Sequence, residues 1–366
     1  MIISTTTLEV SRTNLRSSRF VHSSIDGDAE AALGRAVLAI DHFALTANNI
    51  TYAAYGEEMS YWSFFPAEEG FGRIPVWGFA EVVASPHPDL PVGERVFGYF
   101  PMASHLVVEP VKISPARFID GAAHRRGLPS AYNAYQRVTS DAAYSRLREP
   151  AQMILRPLVI TSFLISDFLE DNSLFGAQQV LVSSASSKTS LGLGFCLKKM
   201  GLSGVATTGL TSASNRVFVE GVGVFDQVVG YDQIDSLDPK VTTVYVDMAG
   251  SVDLLTRVHG HFADKLVYSC RVGATHWEGK AGRLDLPGAR PKFFFAPAQI
   301  EKRLADWGPG GLEQRFGGVW SAMVEAADHW LRVTNRSGED AVESAYRETL
   351  EGRVAPSEGL VLSLTR

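Results

Sequence analysis

The chain has 366 residues, 45% of them hydrophobic and 20% charged, with a formal net charge of -6. That length predicts two domains, each with a core of its own, and the mild acidity argues against nucleic acid or an anionic membrane surface as the main partner. No stretch offers the roughly 18 uncharged apolar residues of a membrane helix, and two cysteines, Cys196 and Cys270, support neither a disulfide framework nor a cysteine-rich zinc site.

The N-terminal MIISTTTLEVSRTNLRSS lacks a continuous apolar run, which predicts a cytoplasmic protein with reduced, buried cysteines. Residues 1 to about 150 read as short β-rich runs punctuated by Pro and Gly. The clearest are AVLAIDHFALTANNI (36–50), GFAEVVASPHPDLPVGERVFGYF (78–100) and HLVVEPVKISP (105–115). LRPLVITSFLISDFLEDN (155–172) has apolar residues at helical spacing, interrupted by Pro157.

Strands and helices then alternate. Strands are predicted at QQVLVSSAS, GVATTGL (204–210), FDQVVGY (225–231), TTVYVDMAG (242–250) and DKLVYSCRVG (264–273). Helices are predicted near 188–200, 212–223 and 252–262. This βαβ rhythm implies a parallel sheet covered on both faces. A further strand and helix follow at 291–308, an amphipathic helix at 318–334, and a last strand at 359–366.

The strand–turn–helix VLVSSASSKTSLGLGFCLKKMG (180–201) would present backbone N–H groups and a helix N-terminus to a phosphate. The usual glycines are absent; Ser187, Lys188 and Ser190 stand in their places. Lys188, with the hydroxyls of Ser186, Ser187 and Thr189, suits a direct phosphate contact. The same residues also suit a solvated lysine beside helix-capping hydroxyls, or a site filled by its own side chains. The second strand is read as ending in Thr207-Thr208-Gly209, with no acid to accept hydrogen bonds from a ribose 2′-OH. Thr208, Thr211, Ser212, Asn215 and Arg216 offer donors for a 2′-phosphate instead, which favours NADP(H) over NAD(H).

A second concentration of chemistry lies in NNITYAAYGEEMSYWSFFP (48–66). Tyr52 has a phenol able to donate a proton, and Tyr55, Tyr61, Trp62, Phe64 and Phe65 would line an apolar or aromatic cleft. Packing of the same rings into a core is the competing reading. His42 and His105 fall in strand patterns and read as structural.

Four segments follow one another in a known order: residues 74–100, GAQQVLVSSASSKTS (176–190), FVEGVGVFDQVVGYD (218–232) and VYVDMAGS (244–251). In that order the chain resembles the medium-chain dehydrogenase/reductase superfamily, in a zinc-independent, quinone- and enoyl-reductase-like branch grouped under a domain-of-unknown-function label. The resemblance implies an α/β fold with a GroES-like β-barrel domain (1–155) and a Rossmann-like, doubly wound parallel-sheet domain that binds NADP (156–300). A C-terminal segment (301–366) would return to the first domain.

The resemblance also implies roles for residues. Tyr231 matches the position beside the adenosine half of the cofactor. Asn48 or Asn49 resembles the asparagine of the quinone- and enoyl-reducing members. Asn49, Tyr52 and Tyr55 are then the catalytic candidates, and Tyr61, Trp62 and Phe65 the substrate-binding ones. The zinc branch's cysteine and its G-H-E give way to Asn48-Asn49 and Trp77-Gly78-Phe79, so no metal is implied. Thr275 and His276 fall where the family approaches the nicotinamide. The implied activity is NADPH-linked reduction of a hydrophobic or aromatic carbonyl or enone in an interdomain cleft, by a possible homodimer. A non-redox lyase or isomerase, or a non-catalytic ligand-binding relative, remains the alternative.

Overall fold

The computed structural model describes residues 1–141, 144–272, 285–308 and 310–365. The chain divides into two compact units, Met1–Ile154 with Arg332–Arg366, and Leu155–Leu331. The return to the first unit therefore comes at Arg332, not at residue 301. The helices Ala296–Trp307 and Gly311–Ala327 stay with the second unit. The sequence-predicted helix 318–334 overran: RVTNRS, with β-branched residues among polar ones, forms the strand Arg332–Ser337.

The first unit is built on antiparallel pairing. Ile2–Ser11 pairs with Ser18–Asp26 and with Phe71–Gly72. Among the described residues, the larger sheet runs in the order Arg332–Ser337, Glu358–Ser363, Ala36–Leu45, Pro75–Ala84, Arg95–Pro101, Ala134–Arg137, Arg117–Asp120 and Pro110–Val111. His105–Val108 also pairs with Ala36–Leu45. Gly78 marks a close approach there, since a Cβ at this position would sit 2.6 Å from the His42 carbonyl oxygen. The C-terminal strands are parallel and joined by the helix Glu339–Leu350.

The second unit carries a parallel sheet. Its strands lie in the order Gln227–Gly230, Ala206–Thr211, Gln179–Val182, Thr243–Asp247, Leu266–Arg271 and Pro291–Phe293. In chain order that is 3-2-1-4-5-6, with the reversal between Gln179–Val182 and Thr243–Asp247. Side chains alternate across the sheet as period-2 geometry requires. Val180, Val182, Val244 and Val246 pack with Ile165, Leu169, Leu191 and Leu197 of the helices Glu149–Asp171 and Lys188–Met200. Leu181 and Tyr245 pack on the other face with Leu254, Leu255, Val258 and Phe262 of the helix Val252–Phe262. Each such fully buried aliphatic side chain contributes roughly 1.5–3 kcal/mol.

Pro157 does not interrupt its helix, which is continuous over Glu149–Asp171. Its buried apolar stripe outweighs the hydrogen bond a proline forfeits. By length and composition Arg146–Asp171 could cross a membrane, a possibility the composition reading missed, but 56% of its apolar window is buried inside the fold. Burial pushes the thiols of both Cys196 and Cys270 up to about 12, so they behave as small apolar groups.

Candidate functional site

The turn after the strand Gln179–Val182 keeps the shape of a glycine turn without the glycine. Ser184 adopts a left-handed conformation with φ of 50°. Its N–H donates to the Tyr231 hydroxyl at 3.1 Å, which ties this turn to the end of the third strand. Ser187 then caps the helix Lys188–Met200, its Oγ accepting from the Ser190 N–H at 3.2 Å. Ser190 is fully buried and donates its hydroxyl to the Ser183 carbonyl at 2.9 Å. Lys188 and Thr189, half-buried, open the first helical turn.

The neighbouring strand continues past the expected end, to Thr211. Thr208 is therefore mid-strand and fully buried, with its hydroxyl accepting from Gln179 Nε2 at 2.8 Å. It presents nothing to a cofactor, and that assignment is corrected. The residues beyond Thr211 do converge on the turn. Asn215 Nδ2 donates to Ser186 Oγ at 3.1 Å, and Ser212 Oγ lies 3.0 Å from Ser214 Oγ. Arg216 pairs with Glu220 at 2.8 Å and reaches Gln233 at 3.0 Å. Ser186, Ser187, Lys188, Thr189, Ser212, Asn215, Arg216 and Tyr231 thus gather at the carboxyl edge of the sheet.

Sequence reasoning missed a buried knot beside the strand-order reversal. Ser183 Oγ donates to Asp247 Oδ1 at 2.9 Å and accepts from the N–H groups of Met248 and Ala249. Tyr245 Oη and Gly250 N also donate to Asp247 Oδ1, each at 3.1 Å. Burial pushes the Asp247 carboxyl upward against these donors. The polar residue at the end of an otherwise apolar strand, in VYVDMAG, was the available signal.

In the first unit the predicted aromatic lining is a packed layer. Tyr52, Tyr61, Phe64, Phe65 and Tyr99 are buried together, with Trp77 and Tyr132 against them. Tyr52 and Tyr61 have ring centroids 4.5 Å apart, and Tyr99 and Tyr132 are 4.7 Å apart. Phe65 lies under the Arg125 guanidinium, 4.7 Å from the ring centroid. Trp62 is wedged between two glycines: a Cβ at Gly56 would fall 2.0 Å from its indole nitrogen, and one at Gly72 2.4 Å from its ring. Trp62 is a packing residue, and its substrate role is corrected on that ground.

Asn49 is corrected for a different reason. It is buried at the start of the helix Ala47–Ala54. Its Oδ1 accepts from Thr46 N at 2.7 Å and from Thr46 Oγ1 at 3.1 Å, and its Nδ2 donates to the Pro75 carbonyl at 2.8 Å. Both ends of the amide are spent on a capping box and a strand. Asn48 is half-buried and lies close enough to Tyr52 to favour its ionised form. Tyr55 is the half-buried C-cap of the same helix. Burial holds the Tyr52 and Tyr61 phenols well above the ordinary range, so both stay protonated. Thr275 and His276 lie outside the described residues.

His42 is structural, in an arrangement its strand pattern could not reveal. Its Nδ1 lies 3.0 Å from Asp41 Oδ2 and its Nε2 2.9 Å from Glu149 Oε2. Arg95 grips Glu149 through both carboxylate oxygens, at 2.6 and 2.7 Å, and reaches Asp41 at 2.8 Å. Asp41, His42 and Glu149 are close enough to one another to hold a metal ion. With both imidazole nitrogens facing carboxylates and Arg95 on both oxygens of Glu149, the set is an ion-pair network.

Residues 43–355 match the family described as Protein of unknown function (DUF2855). The chain belongs to this family. No curated protein matches the sequence. Among solved structures, CurA from Vibrio vulnificus in complex with NADPH is similar at a TM-score of 0.61 and 12% identity, over 99% of each chain. A Mesorhizobium loti protein assigned as an NADPH:quinone reductase is similar at 0.61 and 11% identity, over 99% of this chain and 98% of that one. The yhdH oxidoreductase from Salmonella enterica in complex with NADP is similar at 0.55 and 13% identity, over 100% of each. At such identities the likeness establishes the fold, the two-part α/β architecture expected from the sequence.

Proposed function

We propose that this chain is a cytoplasmic, zinc-independent oxidoreductase that uses NADP(H) to reduce a hydrophobic or aromatic carbonyl or enone compound. The observation that carries the reading is the polar convergence at the carboxyl edge of the second unit's sheet. Ser184 supplies the left-handed bend of a phosphate turn, and the first turn of the helix Lys188–Met200 opens beside it. No carboxylate stands between Thr211 and Arg216 to select a free ribose 2′-OH.

The residues present fit a dinucleotide in these respects. Ser186, Ser187, Lys188 and Thr189 would hold its pyrophosphate, while Ser212, Asn215 and Arg216 would meet the 2′-phosphate and Tyr231 the adenosine half. When bound, the nicotinamide supplies a hydride. Tyr52, kept neutral by burial, would offer its O–H to the substrate oxygen, and the rings of Tyr61 and Phe65 set an apolar boundary. NADP(H) in the CurA and yhdH structures supports the choice of cofactor by analogy of fold.

Thermal shift with purified protein tests it. Stabilisation by NADPH and not by NADH is expected, followed by NADPH oxidation with an enone, quinone or aldehyde. No shift with either nucleotide at millimolar concentration overturns the reading and leaves a non-catalytic ligand-binding relative.

A further inference from the structure

We propose that Ser187 is an internal lock on the phosphate turn, its hydroxyl occupying the place that a phosphate oxygen takes at the head of the helix Lys188–Met200. The inference rests on the reductase reading for its ligand, and goes beyond it in saying what that ligand must displace.

The hydroxyl has no bond left to offer. Ser187 Oγ accepts from the Ser190 N–H at 3.2 Å and donates to Ser190 Oγ at 2.9 Å. Ser190, fully buried, passes its own hydrogen to the Ser183 carbonyl at 2.9 Å, so the chain of bonds runs in one direction. The backbone is tied as well: the Ser187 N–H donates to the Ser184 carbonyl at 2.7 Å.

An N-cap hydroxyl and a bound phosphate compete for the same donors. The first N–H groups of a helix have no carbonyl partner within it, and a capping side chain or an anion satisfies them. Ser187 is that cap, and it takes the N–H of Ser190, the third helical residue. A glycine at this position would leave the N–H open to a ligand. The serine closes it.

A second polar atom beside the turn is still without a partner. Thr211 ends the neighbouring strand and is 1% exposed, and its Oγ1 has no hydrogen-bond partner among the described residues. It shares a strand face with Gly209, where a Cβ would sit 2.8 Å from the Ala185 side chain in the turn. Thr211 therefore faces the closed turn with a bond unmade.

Binding proceeds by exchange. A phosphate oxygen accepts from the Ser190 N–H, and the Ser187 hydroxyl gives up both of its bonds and turns aside. No covalent bond changes and no proton is transferred. Of the residues assigned to the pyrophosphate, Ser187 acts by yielding its place, while Ser186, Lys188 and Thr189 supply contacts. Only molecules with the hydroxyl displaced are competent to bind, so the apparent affinity is reduced by their fraction.

The test compares the full-length wild type with Ser187→Ala and Ser187→Thr. NADPH and inorganic pyrophosphate are titrated by calorimetry, and melting temperatures are taken with and without saturating NADPH. Ser187→Ala, which loses the cap, is expected to melt below the wild type when unliganded and yet to bind NADPH about fivefold more tightly. The melting gap is expected to narrow at saturating NADPH, because the cap is absent from both complexes. Ser187→Thr keeps a capping hydroxyl and is expected to bind as the wild type does.

A Ser187→Ala affinity equal to or below that of the wild type overturns the lock, as does a melting gap of unchanged width at saturation. A Ser187→Thr protein that gains affinity as Ser187→Ala does overturns it too. If NADPH binds no form while pyrophosphate binds Ser187→Ala more tightly than the wild type, the reductase reading falls and the lock stands. If neither ligand binds any form, both fall.

Discussion

The Ser190 hydroxyl donates to the Ser183 carbonyl at 2.9 Å and accepts from Ser187 Oγ at 2.9 Å, all inside the turn whose glycines are missing. A side chain therefore fills space that a glycine would leave open, and the turn depends on it. Ser190→Ala should lower stability by about 1–3 kcal/mol, because the buried Ser183 carbonyl loses this donor. Ser190→Gly should cost more, since glycine adds helix-interior entropy of roughly 0.5–1 kcal/mol. Urea denaturation with unchanged m-values would measure both, and a stabilised Ser190→Gly would show the hydroxyl to be incidental.

Lys188 opens the helix from a half-buried position beside three hydroxyl residues. A charge-assisted contact to a phosphate predicts that Lys188→Ala weakens NADPH binding by roughly 1–3 kcal/mol. Calorimetric titration at two salt concentrations separates this from a general loss. The wild-type affinity should fall more steeply with salt than that of the variant, and parallel salt dependences would count against the contact.

What the sequence made legible follows from which physical signals are local. The apolar β-branched runs at Val180–Val182 and Val244–Val246 specify buried parallel strands by themselves, and the βαβ order then fixes their connection. The cluster around Tyr52 was found because its members lie within a short segment. Between a cleft lining and core packing the sequence could not choose, since burial of Trp62 depends on Gly56 and on the distant Gly72. Thr208 was misplaced by a short strand prediction, because Thr211 continues the β-branched pattern past Gly209. Glu149 reaches His42 across more than a hundred residues of chain, and no local pattern encodes that pairing.

Trp62 supplies a packing prediction. Gly56→Ala would place a methyl carbon 2.0 Å from the indole nitrogen, and Gly72→Ala one 2.4 Å from the ring. Overpacking of this kind typically costs 1–3 kcal/mol, and more where the neighbour cannot move. Both variants should melt well below the wild type by calorimetry. A Gly56→Ala, Trp62→Leu double variant should recover part of the loss from Gly56→Ala alone, because the smaller side chain vacates the contact. Additive losses in the double variant would show that the strain lies elsewhere.

The Asp41–His42–Glu149 network predicts a stability plateau with two edges of opposite sign. For His42, burial acts to lower the pKa, but Asp41 and Glu149 more than offset it, and the net shift is upward from 6.5. Its contribution is complete below 6.5 and is lost as pH rises through the elevated folded value. For Glu149, burial acts upward while Arg95, His42 and Tyr144 bring the carboxyl down to about 2 from 4.5. Asp41 is lowered from 3.8, chiefly by His42, with Arg95 assisting. The carboxylate contributions are complete above 4.5 and are lost as pH falls through the lowered folded values. The network should therefore be strongest between pH 4.5 and 6.5. Melting temperatures measured from pH 3 to pH 9 should fall on both sides of that window. His42→Gln should flatten the alkaline side, because the titrating proton is gone, while leaving the acid side in place through Arg95. An alkaline decline of the same size in His42→Gln would assign that edge to another group.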